Sequence, residues 1–248
     1  MSNVVEVAPD VLFASGTAVN WVILRDGSDL TLIDGGWANE VSLVESSIRA
    51  IGRQPEDVRA ILLTHAHVDH IGALNPFHER YGTPLYMDVA EVPHAHRDYL
   101  EQAGPLAIAP HAWRPAVALW TLKVARAGAL KRITIPHAQP FPRQGALDLP
   151  GGPVPVATHG HTSGHSAYFI PGAGAVATGD GLITAHAISR LTGPQVLGPT
   201  FDHDPESAVA ALTPLESLDA SFVLPGHGPV HRGPIAAAVA TAREHASR

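Results

Sequence analysis

Cysteine is absent from all 248 residues. That excludes disulfides, thiolate metal ligands and a cysteine nucleophile. Lysine is almost absent: Lys123 and Lys131 are the only two among 16 cations, against 23 acids and a formal net charge of -7. An acidic chain with no basic block has no electrostatic footprint for nucleic acid or an anionic membrane, so neither is expected as a partner. No apolar run reaches the length that spans a bilayer. The opening MSNVVEVAPD lacks the basic and apolar regions of a secretory leader, which points to a cytoplasmic protein. What is plentiful is apolar residues, 45%, with 16% charged, a globular balance. Histidine is the outlier, at 16 residues against four Trp, four Tyr and six Phe.

The outer thirds of the chain alternate strand and helix patterns. Val19 to Arg25 and Leu30 to Ile33 flank Asp26-Gly27, a hairpin signal. Ala38 to Ile51 carries Val41, Val44, Ile48 and Ile51 at helical spacing, with Gly52 just past its end. Val58 to Leu63 reads as a buried strand. Helices are expected over Glu91–Leu100 and Trp113–Leu130, and a loop over Pro136–Pro155. Strands return at Val154–Ala157, Ala167–Ile170, Ala175–Ala177 and Phe222–Leu224, with helices over Pro205–Leu218 and Pro234–Ser247. Pro214 weakens the second half of the first of these helices. The order argues an α/β fold with mixed sheets in a single domain, 1–248, carrying a mainly helical cap at roughly 88–150.

Thr64-His65-Ala66-His67-Val68-Asp69-His70 follows the strand at Val58. Three His and one Asp within six residues supply two adjacent half-sites of imidazole and carboxylate, ligands suited to zinc, iron or manganese. A loop that only caps a following helix needs one such residue, not four. Further ligand types stand beside glycine at other strand ends, in Thr158–His165, Thr178-Gly179-Asp180 and Gly226-His227-Gly228. Glycine there lets the backbone turn tightly and approach an ion.

In that order, HAHVDH, GHTSGH, TGD and PGHG resemble the metallo-β-lactamase-fold hydrolases, in particular the glyoxalase II and lactonase-like branch. Asp34 in Leu32-Ile33-Asp34-Gly35-Gly36 matches the family's first motif. The resemblance runs from about residue 11 onward, least in the cap. It implies a four-layer αββα sandwich with two central mixed β-sheets. It implies that His65, His67 and His161 hold one metal, that Asp69, His70 and His227 hold a second, and that Asp180 bridges them. Two zinc ions are expected, with iron or manganese as alternatives, and a bridging hydroxide as nucleophile. Asp69 and Asp180 are the expected catalytic carboxylates, and Asp34 orients the histidine loop.

With Asp180 as a bridging carboxylate beside Asp69-His70, the chain resembles the thioesterase, lactonase and phosphodiesterase branches of that family more than its true β-lactamases. Glyoxalase II enzymes continue past the last motif His with a helical domain that contacts glutathione, whereas 21 residues follow His227 here, so the resemblance makes a glutathione thioester a weaker expectation than other thioesters. No cation can be placed beside the metals for a phosphodiester. A small ester, lactone or thioester remains. Leu106, Ile108, Trp113, Leu119, Trp120 and Leu122 of the cap either line an acyl pocket, pack the cap onto the body or make a homodimer contact, and helical apolar stripes are usually core. Tyr99 and Tyr168 are candidate oxyanion donors. His165 either supports a ligand or is an ordinary loop histidine, while His186 and His203 lie in segments that could border the pocket and read by default as ordinary loop residues. A second class, persulfide dioxygenase-like, would hold a single iron on His65, His161 and Asp180 and leave the other ligands idle.

Overall fold

The computed structural model describes residues 3–247. It opens with an antiparallel meander, β1 (Asn3–Ala8), β2 (Val11–Ser15), β3 (Asn20–Asp26) and β4 (Asp29–Ile33). Gly27 takes the left-handed backbone that the two-residue turn between β3 and β4 requires. The first helix, α1 (Val41–Ala50), starts three residues later than its apolar spacing predicts. The preceding turn is engaged elsewhere, since Asn39 donates from its backbone to Ala127 O and from Nδ2 to Arg126 O. At the other end Gly52 N–H bonds Arg49 O and Arg53 N–H bonds Ile48 O, a Schellman closure.

Next come β5 (Val58–Leu62), α2 (Leu74–Tyr81) and β6 (Leu85–Met87), then α3 (Val92–His96), α4 (Pro105–Ile108), α5 (Pro115–Ala127) and β7 (Ala138–Pro140). The expected helix 91–100 stops at His96 because Arg97 turns left-handed, φ 65°. The 136–155 loop contains β7, which adds in parallel to β6. Three residues carry too little pattern to be read as a strand without their neighbour. The last third holds β8 (Val154–Ala157), β9 (Ser166–Ile170), β10 (Ala175–Gly179), α6 (Pro205–Ala210), α7 (Thr213–Glu216), β11 (Phe222–Pro225), β12 (His231–Arg232) and α8 (Ile235–Ala246). The helix expected over 205–218 is split in two, and Pro214 is the reason: it has no N–H to return to the carbonyl of Ala210.

β1 to β7 form one sheet in sequence order, antiparallel to β4 and parallel beyond it. The second sheet runs β12-β11-β10-β9-β8, with β10 and β11 parallel. Strand alternation sends successive side chains to opposite faces and so builds two cores. In β3, Trp21 and Ile23 join the core under α1 and α2, while Val22 and Leu24 join the core between the sheets. A third core packs Val176 and Val223 against Leu212, Leu215 and α8. The layers are helix, sheet, sheet, helix. The ends of β4, β5, β8, β10 and β11 meet at one edge of this sandwich, and α5 is held over it by Val124 and Ala127 against Val19 and Trp37.

Candidate metal centre

Each motif residue sits in the turn just past a strand. His65, His67, Asp69 and His70 follow β5, His161 follows β8, Asp180 follows β10 and His227 follows β11. The turns bring ligand-type atoms of His65, His67, His161 and Asp180 within 4.8 Å of one another, and those of Asp69, His70 and His227 likewise. Asp180 joins the groups: its Oδ2 lies 3.6 Å from His161 Nε2 and 3.0 Å from His227 Nε2, and its Oδ1 lies 3.5 Å from His70 Nε2. Gly226 has to be glycine for this, because a Cβ there would stand 2.1 Å from Asp180 Oδ1.

The outer ring nitrogens fix how the inner ones point. His70 Nδ1 donates to Asp34 Oδ2 at 2.8 Å, His161 Nδ1 to Asp202 Oδ1 at 2.7 Å and His227 Nδ1 to Ala18 O at 2.6 Å. Carboxylates and carbonyls only accept, so each Nδ1 carries the hydrogen and each Nε2 faces inward. His67 is turned the other way, with Nε2–H given to Glu101 O and Nδ1 left 3.1 Å from His161 Nε2. His65 Nδ1 meets Thr64 Oγ1 at 3.0 Å. The result is five imidazoles converging on one space. Inside it His65 Nε2, His70 Nε2 and Asp180 Oδ1 are buried with no protein partner. Buried polar atoms are rarely left unpaired. Three such atoms facing each other among imidazoles and carboxylates fit metal ions.

Electrostatics divide the imidazoles into two kinds. Burial holds His65 well below its usual range and His67 at about 3, which leaves their lone pairs free. Burial also acts to lower His70 and His227, but Asp34, Asp180 and Asp69 outweigh it, raising His70 well above its usual range and His227 to about 10. Burial acts to raise the Asp180 carboxyl, yet His227 and His70 beside it hold it well below the usual carboxylate range.

Behind these residues stand groups that tie the turns together. Asp34, in a left-handed backbone (φ 64°), accepts from Thr64 N at 2.8 Å and from Thr64 Oγ1, as expected of it. His165 supports Asp180 directly, its Nε2 accepting from Asp180 N at 3.1 Å and Gly181 N at 3.2 Å. Glu91 is fully buried and accepts four bonds, from Ala66 N (2.6 Å), His94 Nδ1 (2.7 Å), Thr162 Oγ1 (2.8 Å) and Gly164 N (3.1 Å). It clamps the turn after β5 to the turn after β8. Burial acts to raise the Glu91 carboxyl, but His94 and the backbone N–H of Ala66 bring it down to about 2. Gly164 permits this approach, since a Cβ would lie 2.2 Å from Glu91 N. Glu101 extends the clamp into the cap: its carboxylate accepts from Ser163 N and Oγ at 2.7 and 2.6 Å.

Above the centre opens a cleft of about 880 Å³. Its walls are mostly apolar, with Ile108, Trp120, Val124, Leu197 and Phe201 among them. His186 also lines it, its ring centroid 5.1 Å from that of His227, and burial lowers it to about 3. Arg97, Lys131 and Arg132 line the cleft as well, Arg97 with its guanidinium given to the carbonyls of Ile133, Ala66 and His94. Two sequence candidates fall away. Tyr168 is buried between the sheets with its hydroxyl given to Leu63 O at 2.6 Å, and Tyr99 OH bonds Ala90 O. The apolar cap residues divide. Ile108 and Trp120 line the cleft, whereas Leu106, Trp113, Leu119 and Leu122 face solvent, so they are not the core that helical spacing suggests. His203 is half exposed, 3.4 Å from Glu101 Oε1. Sequence reasoning missed Glu91, Glu101 and Asp202. None has a motif, and Asp202 stands 41 residues from the His161 that it holds.

Two adjoining His/Asp clusters at the strand ends of an αββα sandwich define a metallo-hydrolase type of centre. Residues 14–227 match the metallo-beta-lactamase superfamily, and the chain belongs to it. It is 27% identical over 206 residues to the Bacillus subtilis (strain 168) protein named "Probable metallo-hydrolase YflN", covering 79% of this chain and 74% of that one. A shorter match, 36% over 75 residues, covers 30% of this chain and 27% of the exodeoxyribonuclease WalJ of Streptococcus pneumoniae serotype 2. Among solved structures, a metallo-beta-lactamase family protein of Thermus thermophilus, TTHA1429, superposes with a TM-score of 0.65 at 22% identity, over 92% of this chain and 75% of that one. At that identity the likeness is one of fold.

Proposed function

We propose that this chain is a metal-dependent hydrolase with a dinuclear, zinc-loaded centre that cleaves a small ester, lactone or thioester. The observation that carries the reading is the Asp180 carboxylate standing between two ligand clusters, with His65 Nε2, His70 Nε2 and Asp180 Oδ1 buried without protein partners. His65, His67 and His161 would hold one ion, Asp69, His70 and His227 the other, with Asp180 shared. When bound, such ions supply Lewis acidity and bring water's pKa to near neutrality. The remaining work falls to the chain. Asp34, Asp202, Glu101 O and Ala18 O keep the imidazole lone pairs aimed inward. The apolar walls of the cleft exclude bulk water and receive the acyl part of the substrate. Asp69 both lines the cleft and lies 3.4 Å from His227 Nε2, so its carboxylate is placed to take the proton that the attacking water gives up and to hand it to the departing alcohol or thiol. The name of YflN supports the same class.

The test is elemental mass spectrometry on protein purified without added metal, followed by assay against aryl esters, lactones, acyl thioesters and an aryl phosphodiester at neutral pH. About two zinc ions per chain with ester, lactone or thioester turnover is the expected result. About one iron per chain, with oxygen uptake on a persulfide, would replace this reading with a mononuclear oxygenase on His65, His161 and Asp180. Turnover of the phosphodiester alone would overturn the substrate class.

A further inference from the structure

The whole-chain charge of -7 hides a strongly asymmetric segment. From Gln102 to Leu147 there is no Asp or Glu, while six of the 16 cations fall there: Arg114, Lys123, Arg126, Lys131, Arg132 and Arg143. None of the six pairs with a carboxylate among the described residues, where Arg25, Arg49, Arg59, Arg80 and Arg243 all do. The same stretch concentrates exposed apolar surface. Of nine large hydrophobic side chains exposed among the described residues, five lie within it and Tyr99 and Leu100 stand just before it. Leu106 is 88% exposed, Leu130 76% and Trp113 74%. Helix α5 holds to the body through Val117, Val124 and Ala127 and turns Leu119, Leu122, Lys123 and Arg126 outward. A face that mixes leucine and tryptophan with cations that can reach past them is the composition of an interfacial helix.

From this we infer that the cap docks on an anionic lipid surface, with the outer face of α5 and the α4 segment lying in the interface. Charge and apolarity together select this occupant. A second copy of the chain is disfavoured on two counts. Pairing cap to cap by a twofold axis sets like charges against each other, and pairing cap to body finds no matching apolar patch among the described residues, where outside 99–130 only Val5 and Val89 are large exposed hydrophobics. Nucleic acid would use the cations but leave the leucines in water. The cleft opens through the same segment, lined by Pro105, Ile108, Lys131 and Arg132. An ester with an apolar chain would thus pass from the lipid to the centre without crossing bulk water. The docking does not depend on the hydrolase reading.

Flotation of the metal-loaded protein with vesicles tests it, comparing phosphatidylcholine alone with phosphatidylcholine containing about a third phosphatidylglycerol. Partition to the anionic vesicles, weakened by salt, is expected. Joint Leu119→Ser and Leu122→Ser should weaken it about tenfold, and joint Lys123→Glu and Arg126→Glu should erase the preference for anionic lipid. None of these four residues lines the cleft, so hydrolysis of a water-soluble ester should stay at the wild-type rate in both variants. That assay keeps failure of the hydrolase reading separate from failure of docking. No partition at low salt, or partition unchanged in both variants, overturns the inference. So does a dimer in sedimentation that the leucine variant dissolves, or an oligonucleotide complex that only the charge variant loses.

Discussion

The turn after β5 and the cap above it treat their side chains in opposite ways. In the turn, each inward imidazole has its outer nitrogen fixed by a neighbouring oxygen, and each of those oxygens belongs to a different segment: Asp34 after β4, Glu101 in the cap, Thr64 beside it. A site held from several directions keeps its geometry when one segment breathes. In the cap, α5 is attached by three buried residues and exposes most of the rest. Substitutions should therefore be severe at the turn and nearly silent on the outer cap, and the spread between them measures how far that division holds.

The largest effect is expected at the shared carboxylate. Asp180→Ala should bring turnover to background and lower the metal bound per chain, while the circular dichroism spectrum stays that of the native fold. His67→Ala should do the same through the cluster it forms with His65 and His161. Full activity in either variant would remove these residues from the centre. Next comes the clamp. Glu91→Gln keeps the shape but loses the charge that receives four hydrogen bonds. An amide has one oxygen to offer and presents two donors where donors already stand. Metal affinity or activity should fall by about 10–100-fold, the range for groups that orient ligands. Titration with a competing chelator reads the affinity directly. An unchanged affinity would show that the two turns are held without Glu91.

Legibility in the sequence followed the same division. The two clusters were readable because their chemistry is local: His65, His67, Asp69 and His70 crowd six positions, and His161, Asp180 and His227 stand beside glycine at strand ends. The sheets were readable where alternation or a turn signal ran for several residues, as in β3 and β4. β7 was not, because three residues acquire strand character only by pairing with β6. Glu91 and Asp202 were not, because nothing near them in sequence marks them, and their partners lie in other turns. The solvent-facing leucines of α5 misled for a simple reason. Helical spacing says which residues share a face, and only the packing says which face is covered.

A smaller effect is expected where a carboxylate is paired away from the site. Burial acts to raise Glu45, but Tyr81 OH, Arg49 and Arg80 outweigh it and its pKa lies below 4.5. A depressed carboxylate adds stability above its unfolded pKa, and that contribution is lost as pH falls through the folded value. The arginines are 48% and 57% exposed, so screening leaves the contribution under about 1 kcal/mol. Urea unfolding should find Glu45→Gln slightly less stable than wild type at neutral pH. The difference should close as the pH is taken below 4.5. A gap that persists unchanged in acid would assign the effect to packing, not to charge.

The smallest effect should come from the outer cap itself. Leu119 is 53% exposed, so little apolar area was withdrawn from water to lose. Leu119→Ser should change unfolding stability by no more than about 0.5 kcal/mol. Val124 on the opposite face of the same helix is 5% exposed and packs with Val19, Trp37 and Ala127, so Val124→Ala should cost about 1–3 kcal/mol and loosen the cap over the cleft. The pair isolates the covered face from the open one on a single 13-residue helix. Equal losses in the two variants would mean that Leu119 is buried in solution by a contact which the isolated chain does not make.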